Sequence, residues 1–315
     1  EQLSQTGAFN GELKLLHRDG STLWVAANIN TLDRKPMPGV GTAAEVIVFT
    51  DIGFTKRFEA LQRQMLEDVV MEKPLATLLT DMCLALEALV PRVRVSVMSV
   101  DAHGIMNPLA APSMPTHIVE LMKGVRMGAE VGACGAAAFT GREIIAHDIA
   151  IDPNWCGAAP IFTAANLHAC WSSPIKSHED KVVGTLALYF DSQRTPNELH
   201  RQLVMACLHL CAIAMERDAS KHRIRQLAYY DSLTRLPNRT MFNECAEQTL
   251  HSIRGQQGVL FFLDLDRFKL WNDSLGHAAG DALLCEIADR LQQCTQAGDL
   301  VGRLSSDEFA VFSPL

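Results

Sequence analysis

The stretch GVLFFLDLDRF, residues 258–268, decides how the C-terminal part of the chain is expected to fold. Six largely apolar residues precede Asp264, so the pattern predicts a buried strand that ends in a carboxylate. Asp266 is two residues further on and would point to the same side. We therefore expect both carboxylates at one edge of a sheet.

A second acidic pair occurs in RLSSDEF, residues 303–309, between two short runs that are typical of strands. Asp307 and Glu308 begin the second of these strands, directly after two serines. If this strand neighbours GVLFFL, three or four carboxylates converge, and a hard divalent cation would relieve their mutual repulsion. Lys269 is well placed to contact a phosphate. The residues alone leave two hypotheses open, a metal-phosphate site and a solvated acidic loop.

The composition of the 315-residue chain is that of a multidomain globular protein, with 48% apolar and 20% charged residues. A formal net charge of -8 argues against a nucleic-acid polymer as partner. Nine cysteines without a CxxC pair favour a reducing compartment, so we expect a cytoplasmic protein. The most apolar helical stretch, residues 203–215, is shorter than the roughly 20 residues that a membrane span needs. No membrane segment is therefore seen in this sequence.

The beginning of the chain alternates like an antiparallel sheet, with turns predicted at Asp19-Gly20 and at 31–41. In the next helix four apolar residues are spaced as in the seam of a two-stranded coiled coil. These residues are Phe54, Phe58, Leu61 and Met65. A helix packed on its own domain explains the same spacing equally well.

Pro74 marks a predicted boundary, beyond which helices and strands form a mixed α+β domain. A long helix closes this domain, and its apolar heptad breaks around Arg217. The residues expected on its apolar face are Leu203, Cys207, Leu210, Ala214, Ile224 and Leu227.

From Asp231 the pattern changes to a turn-rich segment followed by a helix at 239–253 and the strand GVLFFL. Another helix is predicted from Asp281, because apolar residues recur on one face. Gly298 ends that helix, and two short strands follow.

Three motifs together resemble the GGDEF domain of diguanylate cyclases. They are DSLTRLPNR at 231–239, DLDRFKLWNDSLGHAAGD at 264–281 and RLSSDEF. In that family two GTP molecules, one on each domain of an antiparallel pair, condense to cyclic di-GMP. The resemblance implies an α/β, nucleotidyl-cyclase-like domain, Mg²⁺ or Mn²⁺ as cofactor, and GTP and cyclic di-GMP as ligands.

The resemblance also implies a role for each matching residue. The metal ligands would be Asp264, the backbone carbonyl of Leu265, and Asp307. The phosphate loop would contain Phe268 and Lys269, and the guanine would be bound by Asn272 and Asp281. The catalytic acidic residues would be Asp307 and Glu308. Arg303 occupies the family's arginine position in the signature hairpin.

The signature hairpin departs from the family, which has two glycines where this chain has Ser305 and Ser306. A two-residue hairpin needs positive φ at both positions, which costs a non-glycine residue roughly 1–2 kcal/mol. If half of a strain of ~3 kcal/mol appeared in the transition state, the rate would fall about tenfold.

The family's inhibitory RxxD site aligns with Gln296 to Asp299, so its arginine is missing. Bidentate capture of the product is therefore lost. We expect no tight feedback inhibition at this degenerate site.

The stretches at 124–155, 166–175 and 182–190 resemble a GAF domain of bacterial signalling proteins. The opening sheet, with FTDIGFTKR at its exit, resembles the C-terminal half of a PAS domain. The fold class expected is therefore α+β multidomain, with antiparallel PAS and GAF sheets joined by long helices to the GGDEF domain. The predicted order is half of a PAS domain at 1–53, a linker helix at 54–73, a GAF domain at 74–197, a signalling helix at 198–228 and the N-terminal part of a GGDEF domain at 229–315.

Two hypotheses also remain for a group of cysteines and histidines in the GAF region. Cys134, His147, His168 and Cys170 could form a haem or metal pocket, or they could be packing residues, which we favour. Trp155 and Trp171 are likewise expected to pack. A haem or other sensory ligand is expected upstream of this chain.

The leading hypothesis is a sensory protein whose PAS and GAF domains control a diguanylate cyclase, with homodimerisation through the linker helices. The alternative is a degenerate GTP-binding GGDEF domain that regulates an EAL cyclic di-GMP phosphodiesterase further along the protein. A purely structural dimerisation module is the third class, and it does not explain why so many motif residues match.

Overall fold

Two structural units make up the chain, and they divide between Glu216 and Arg217, within one long helix. The computed structural model describes residues 8–33, 43–155, 157–252 and 257–314. Most of the predicted loop at 31–41 therefore lies outside the described residues.

The first sheet is antiparallel, as its alternating sequence predicts. It contains β1 (Ala8–Leu16), β2 (Thr22–Asp33) and β3 (Ala43–Asp51), paired in that order. Gly20 has a φ of +86°, and Oδ1 of Asp19 accepts a hydrogen bond from the backbone of Ser21 at 2.8 Å. The predicted turn is therefore present, whereas the assignment to a PAS domain stays a prediction.

The helix after this sheet, α1 (Gly53–Val70), packs on its own unit. Leu61 and Met65 are 9% and 2% exposed and belong to the same buried cluster as residues of α2 (Leu75–Leu89). The apolar seam is thus already covered within the chain. Of the two hypotheses for this seam, the helix packed on its own domain is the one the structure supports.

The second sheet has six antiparallel strands in the order β6-β5-β4-β9-β8-β7. These strands are β4 (Val93–Val100), β5 (Ile105–Ala110), β6 (Val125–Arg126), β7 (Ile144–Ala146), β8 (Ala169–Lys176) and β9 (Val182–Phe190). Three short helices lie between them in sequence: α3 (Thr116–Met122), α4 (Gly132–Thr140) and α5 (Ala159–Ala164).

Successive residues of β9 belong to different cores, because side chains alternate across a strand. Leu186 and Leu188 join the cluster that includes α1 and α2, whereas Ala187 and Tyr189 join a second cluster with α3 and α4. The sheet therefore carries a buried core on each face.

The long helix α6 (Glu198–Tyr229) changes character along its length. Its first half buries Leu203 and Cys207 completely, at 0% exposure each. Its second half is exposed, and Ile224 and Leu227 are each 68% exposed. Residues predicted to share one apolar face thus lie in two different environments.

The second unit contains a three-stranded antiparallel sheet with the order β10-β12-β11. Its strands are β10 (Gly258–Asp264), β11 (Leu300–Arg303) and β12 (Glu308–Pro314). Its helices are α7 (Arg239–Ser252), α8 (Phe268–Leu275) and α9 (His277–Cys294). The helix predicted from Asp281 begins four residues earlier, and α8 was not predicted.

The predicted burial of the GVLFFL strand is wrong. Leu260, Phe261 and Phe262 are 46%, 54% and 70% exposed. β10 is an edge strand that pairs on one side only among the described residues. An apolar run alone does not reveal whether its faces are covered.

Candidate functional site

The prediction that GVLFFL and DEFAVF are neighbouring strands is confirmed. β10 and β12 pair so that Asp264 lies opposite Glu308. The backbone N–H of Leu265 donates to the carbonyl of Asp307 at 3.3 Å. The motif acids therefore meet at one end of the sheet.

Glu308 faces a cavity of about 370 Å³ that is also lined by Asp264 and Arg239. An Arg239 guanidinium nitrogen lies 3.3 Å from Oε2 of Glu308, and the hydroxyl of Ser305 donates to the same oxygen at 2.8 Å. The cavity therefore combines two carboxylates with one cation, a set suited to a metal-bound phosphate.

The hairpin strain expected at Ser305 and Ser306 is absent, because neither residue has a positive φ. The turn runs from Leu304 to Asp307 between β11 and β12, so it is longer than the two-residue hairpin assumed from the sequence. The expectation of strain was therefore wrong.

The two serines contact the acidic residues that follow them. Ser306 donates to Oδ1 of Asp307 at 2.6 Å, and Ser305 donates to Glu308. Glycine could make neither bond. This difference from the family thus acts through hydrogen bonds and not through backbone strain.

Arg303 connects the signature hairpin to Asp231 through hydrogen bonds. Its guanidinium donates to the carbonyls of Ser305 and Ser306 at 3.1 and 2.6 Å, and to Oδ1 of Asp231 at 2.9 Å. Burial acts to raise the pKa of Asp231, but hydrogen bonds from Thr234 and Arg303 outweigh it and lower that pKa. Asp231 therefore stays ionised as an anchor for the arginine.

The predicted phosphate-loop residues begin α8, directly after Arg267, which has a φ of +58°. Phe268 is half-buried, and Lys269 is exposed to solvent. Lys269 is thus free to meet an anion, and its role stays a prediction.

The predicted guanine-binding residues lie on successive helices, with Asn272 on α8 and Asp281 on α9. Oδ1 of Asn272 is buried and has no hydrogen-bond partner among the described residues. Gly280 lies so close that a Cβ there would collide with this oxygen. A side-chain acceptor without a partner is consistent with a site at which a ligand supplies the hydrogen-bond donor.

The aligned inhibitory segment forms a closed turn. The backbone N–H of Gln296 donates to Oδ2 of Asp299 at 2.8 Å, and the N–H of Asp299 donates back to the carbonyl of Gln296 at 3.1 Å. The Asp299 carboxylate thus accepts a hydrogen bond within its own turn, and the side chain of Gln296 is exposed.

Sequence reasoning assigned no role to Asp231 or Arg239, which anchor the hairpin and contact Glu308. Both stand at the ends of DSLTRLPNR. The motif could have pointed to these two residues. Their partners, Arg303 and Glu308, lie about seventy positions away in sequence, so a local pattern does not reveal the contacts.

The chemistry of the donors fits a hard cation. The Asp264 side chain is exposed and makes no hydrogen bond or ion pair with another side chain among the described residues. The Leu265 carbonyl accepts one long bond, from Phe268 at 3.3 Å, and keeps a second lone pair. Nevertheless, no cluster of three or more His, Cys, Asp or Glu side chains is preassembled for a metal in the described part of the chain.

The cysteines and histidines of the GAF region do not share one environment. Cys134 and Cys170 are buried, and Sγ of Cys134 lies 3.4 Å from the Tyr189 hydroxyl, whereas His147 is exposed. Burial raises the pKa of the Cys170 thiol well above its ordinary value, so this thiol stays protonated in the metal-free protein.

The two tryptophans of this region are buried at 3% and 2% exposure for Trp155 and Trp171. Trp171 donates to Glu143 at 3.2 Å. Trp155 packs edge-on against Phe162, and it also lines a cavity. Trp155 therefore packs as expected and in addition forms part of a cavity wall.

Among the described residues, no helix combines the length and the apolar composition that a membrane span requires.

Two family models match the chain. Residues 228–314 match the diguanylate cyclase GGDEF domain, and residues 72–216 match the GAF domain. The cyclic di-GMP phosphodiesterase NbdA of Pseudomonas aeruginosa is 34% identical over 58% of this chain and 23% of its own length. The diguanylate cyclase DgcP of Escherichia coli is 34% identical over 45% of this chain and 44% of its own length.

Among solved structures, the GGDEF domain of TpbB from Pseudomonas aeruginosa is 47% identical, covers 28% of this chain and 52% of that chain, and has a TM-score of 0.27. The chain matches less than half of the length of NbdA and of DgcP. It contains a GAF domain followed by a GGDEF domain and is homologous to diguanylate cyclases.

Proposed function

We propose that the GGDEF domain binds GTP with Mg²⁺ or Mn²⁺ and forms cyclic di-GMP and pyrophosphate under control of the input domains. One observation carries this proposal: the β10–β12 register brings Asp264, Asp307 and Glu308 to one sheet end, beside the helix that carries Lys269. The homologous cyclases supply the reaction class.

In this proposal Asp264, the Leu265 carbonyl and Asp307 hold the metal ion, which neutralises charge on the triphosphate when bound. Lys269 pairs with a phosphate, and Asn272 with Asp281 orients the guanine. Arg303 keeps the hairpin in place through the carbonyls of its serines. Glu308 positions Arg239 at the wall of the cavity.

Because each domain binds one GTP, the reaction needs two chains in an antiparallel pair. The residues buried in the first half of α6 are unavailable for pairing. Ile224 and Leu227, both exposed, are therefore the part of the predicted seam that remains for a homodimer.

The test is a cyclase assay on the intact protein with GTP and Mg²⁺, in which cyclic di-GMP is followed by chromatography. We expect Asp264→Asn and Asp307→Ala to lower the rate at least a hundredfold, because each removes a metal ligand. Asp266→Asn is the matched control, since the Asp266 side chain is 92% exposed and is not one of the proposed metal ligands. Equal activity of Asp264→Asn and wild type would overturn the proposal.

The second candidate function is a catalytically silent GGDEF domain that binds GTP and regulates a cyclic di-GMP phosphodiesterase domain elsewhere in the protein. The hydroxyl bonds from Ser305 to Glu308 and from Ser306 to Asp307 favour it, because they restrain both signature acids. The phosphodiesterase relative NbdA, which matches 58% of this chain, supports it too.

The same preparation distinguishes the two functions. Cyclic di-GMP from wild type, and none from Asp307→Ala, supports the cyclase. GTP binding without product, together with GTP-stimulated hydrolysis of cyclic di-GMP by the intact protein, supports the regulator. A folded protein that binds no GTP contradicts both.

A further inference from the structure

Two buried cysteines of the GAF domain lie where helix α4 contacts strand β8. Cys134 is the third residue of α4, and Cys170 is the second residue of β8. Both belong to the same buried cluster, and Sγ of Cys134 lies 3.4 Å from the hydroxyl of Tyr189. Tyr189 is also the residue of β9 that pairs with Cys170. The two thiols therefore share one environment in the core.

Three buried hydroxyl groups on this face of the sheet have no hydrogen-bond partner of normal geometry among the described residues. They belong to Ser96, Ser172 and Thr185, which are each 0% exposed. Because side chains alternate across a strand, Ser172 shares its face with Cys170, and Thr185 shares its face with Tyr189. A buried hydroxyl without an acceptor is costly. These groups therefore favour an acceptor, such as a thiolate, in this part of the core.

Hydrogen bonding makes Cys134 the more acidic of the two thiols. A bond from Cys170 and a weaker one from Tyr189 outweigh burial and lower the pKa of Cys134 to about 6. The nearby hydroxyls of Ser172 and Thr185 act in the same direction. The position of Cys134 in the first turn of α4 also favours a thiolate. Roughly nine tenths of this thiol is therefore ionised at pH 7.

The buried cysteines of the other core of this unit differ from Cys134. Cys83, Cys207 and Cys211 belong to the cluster that includes α1 and α2. Burial raises the pKa of each of these thiols. Since the thiolate is the nucleophile, we expect Cys134 to react before these three residues.

A cavity of about 310 Å³ gives small molecules access to Cys134. Cys134 lines this cavity and is 9% exposed. Leu121 and Ile161 also line it and are 51% and 38% exposed, so the cavity opens to solvent. Hydrogen peroxide is small and uncharged, and it can therefore reach the sulfur without an ionic partner in the wall.

We propose that Cys134 and Cys170 form a peroxide-sensitive thiol–disulfide pair, in which Cys134 is oxidised first and Cys170 resolves the product. The Cys134 thiolate attacks one oxygen of hydrogen peroxide, the O–O bond breaks, and hydroxide leaves from a sulfenic acid. The Cys170 sulfur then attacks the Cys134 sulfur. The S–S bond forms, the S–O bond breaks, and the proton of Cys170 leaves with that oxygen as water. The two thiols lose two electrons to one peroxide, and the disulfide ties α4 to β8.

Peptide mapping of the full chain tests this proposal directly. The reduced protein is treated with hydrogen peroxide, its remaining thiols are alkylated, and the digest is analysed by mass spectrometry without reductant. We expect a disulfide between Cys134 and Cys170 that dithiothreitol removes. A folded, peroxide-treated protein in which Cys134 stays reduced would overturn the proposal, and so would a bond from Cys134 to a different cysteine.

Three substitutions separate the roles of the two thiols. Cys170→Ser removes the resolving thiol, so dimedone should trap a sulfenic acid at Cys134. Cys134→Ser should leave Cys170 reduced after the same treatment. Cys294→Ser is the matched control, because it removes an exposed thiol from α9 and should keep the disulfide. Dimedone trapping at another cysteine in Cys170→Ser, with Cys134 unmodified, would contradict the assigned order of oxidation.

The pH dependence of alkylation by iodoacetamide tests the hydrogen-bonded thiolate. For Cys134 of the wild type we expect a midpoint of about 6. Tyr189→Phe removes one donor and should raise this midpoint by about one unit, whereas Tyr229→Phe, in the second unit, should leave it unchanged. A wild-type midpoint at the ordinary thiol value of about 8.5 would overturn the proposal.

Discussion

Nη1 of Arg303 lies 2.9 Å from Oδ1 of Asp231, and this ion pair joins two segments that are 72 residues apart. The two side chains are only 10% and 22% exposed. Since the same guanidinium also bonds the carbonyls of Ser305 and Ser306, the shape of the signature hairpin depends on the segment that begins the GGDEF domain.

The first prediction concerns Asp231→Asn, which leaves Arg303 without its anionic partner. We expect the free energy of unfolding to fall by about 2 kcal/mol at neutral pH, as for other charged hydrogen-bonded pairs that are largely buried. Denaturant titration of the GGDEF transition measures this change. Asp289→Asn, an exposed substitution on α9, should change it by less than about 0.5 kcal/mol.

The pH dependence of this difference gives a second readout. Because the folded-state pKa of Asp231 lies below the ordinary aspartate value of 3.8, the stabilisation from this carboxylate is complete above that value and is lost as the pH falls through the folded-state pKa. The difference between wild type and Asp231→Asn should therefore shrink in acid. A difference that is equal at neutral pH and in strong acid would contradict the ion pair.

The second prediction concerns the double substitution of Ser305 and Ser306 by glycine. Since neither serine has a positive φ, glycine relieves no strain and instead adds freedom to the unfolded chain. We expect the free energy of unfolding to fall by about 1 kcal/mol in denaturant titration. A rise of about 3 kcal/mol would instead restore the strain hypothesis.

Alanine is the matched control at the same two positions, because it removes the hydroxyls without the added backbone freedom. The double alanine variant should lie between wild type and the double glycine variant. If both variants lose equal stability, the hydroxyl bonds to Asp307 and Glu308 carry the whole effect.

The third prediction concerns Gly280→Ala. Alanine normally stabilises a helix interior by roughly 0.5–1 kcal/mol relative to glycine, but here its Cβ would displace Oδ1 of Asn272. On the proposed function, we expect GTP affinity to fall about tenfold with the fold retained, measured by calorimetry. Ala282→Gly, exposed on the same helix, should keep GTP affinity. Unchanged affinity in Gly280→Ala would remove Asn272 from the guanine site.

The local sequence pattern was sufficient to predict that the acidic residues meet at one end of the sheet. The strand GVLFFLD and the acids at the start of DEFAVF predicted a neighbouring pair, and the register of Asp264 with Glu308 confirms it. The two alternative environments of the α1 seam could not be separated, because Leu61 and Met65 have the same spacing in a coiled coil and on a domain surface.

Long-range contacts explain what the sequence did not reveal. The hairpin adopts a relaxed turn because Arg303 bonds its carbonyls and is itself held by Asp231, and no local pattern contains that contact. The exposure of Phe261 and Phe262 likewise depends on which elements cover the sheet. The GAF cavity lies where helices and loops from separate parts of the chain meet.

The fourth prediction concerns homodimerisation through the exposed half of α6. The double substitution Ile224→Glu and Leu227→Glu puts charges on two predicted seam positions that are each 68% exposed. We expect the dimer dissociation constant to rise at least tenfold in sedimentation equilibrium, because the charges would lose hydration in the interface. Met205→Glu, at a residue of equal exposure in the first half of the helix, should have no such effect. An unchanged dimer would place the interface elsewhere.

The fifth prediction concerns feedback by the product. Gln296 is exposed, and its single amide cannot replace the bidentate contact of an arginine with a phosphate or guanine. In the cyclase assay we expect weak inhibition of wild type by cyclic di-GMP and at least tenfold stronger inhibition of Gln296→Arg. Gln293→Arg adds the same charge at an exposed position of α9 and should behave like wild type. Submicromolar inhibition of wild type would mean that other residues capture the product.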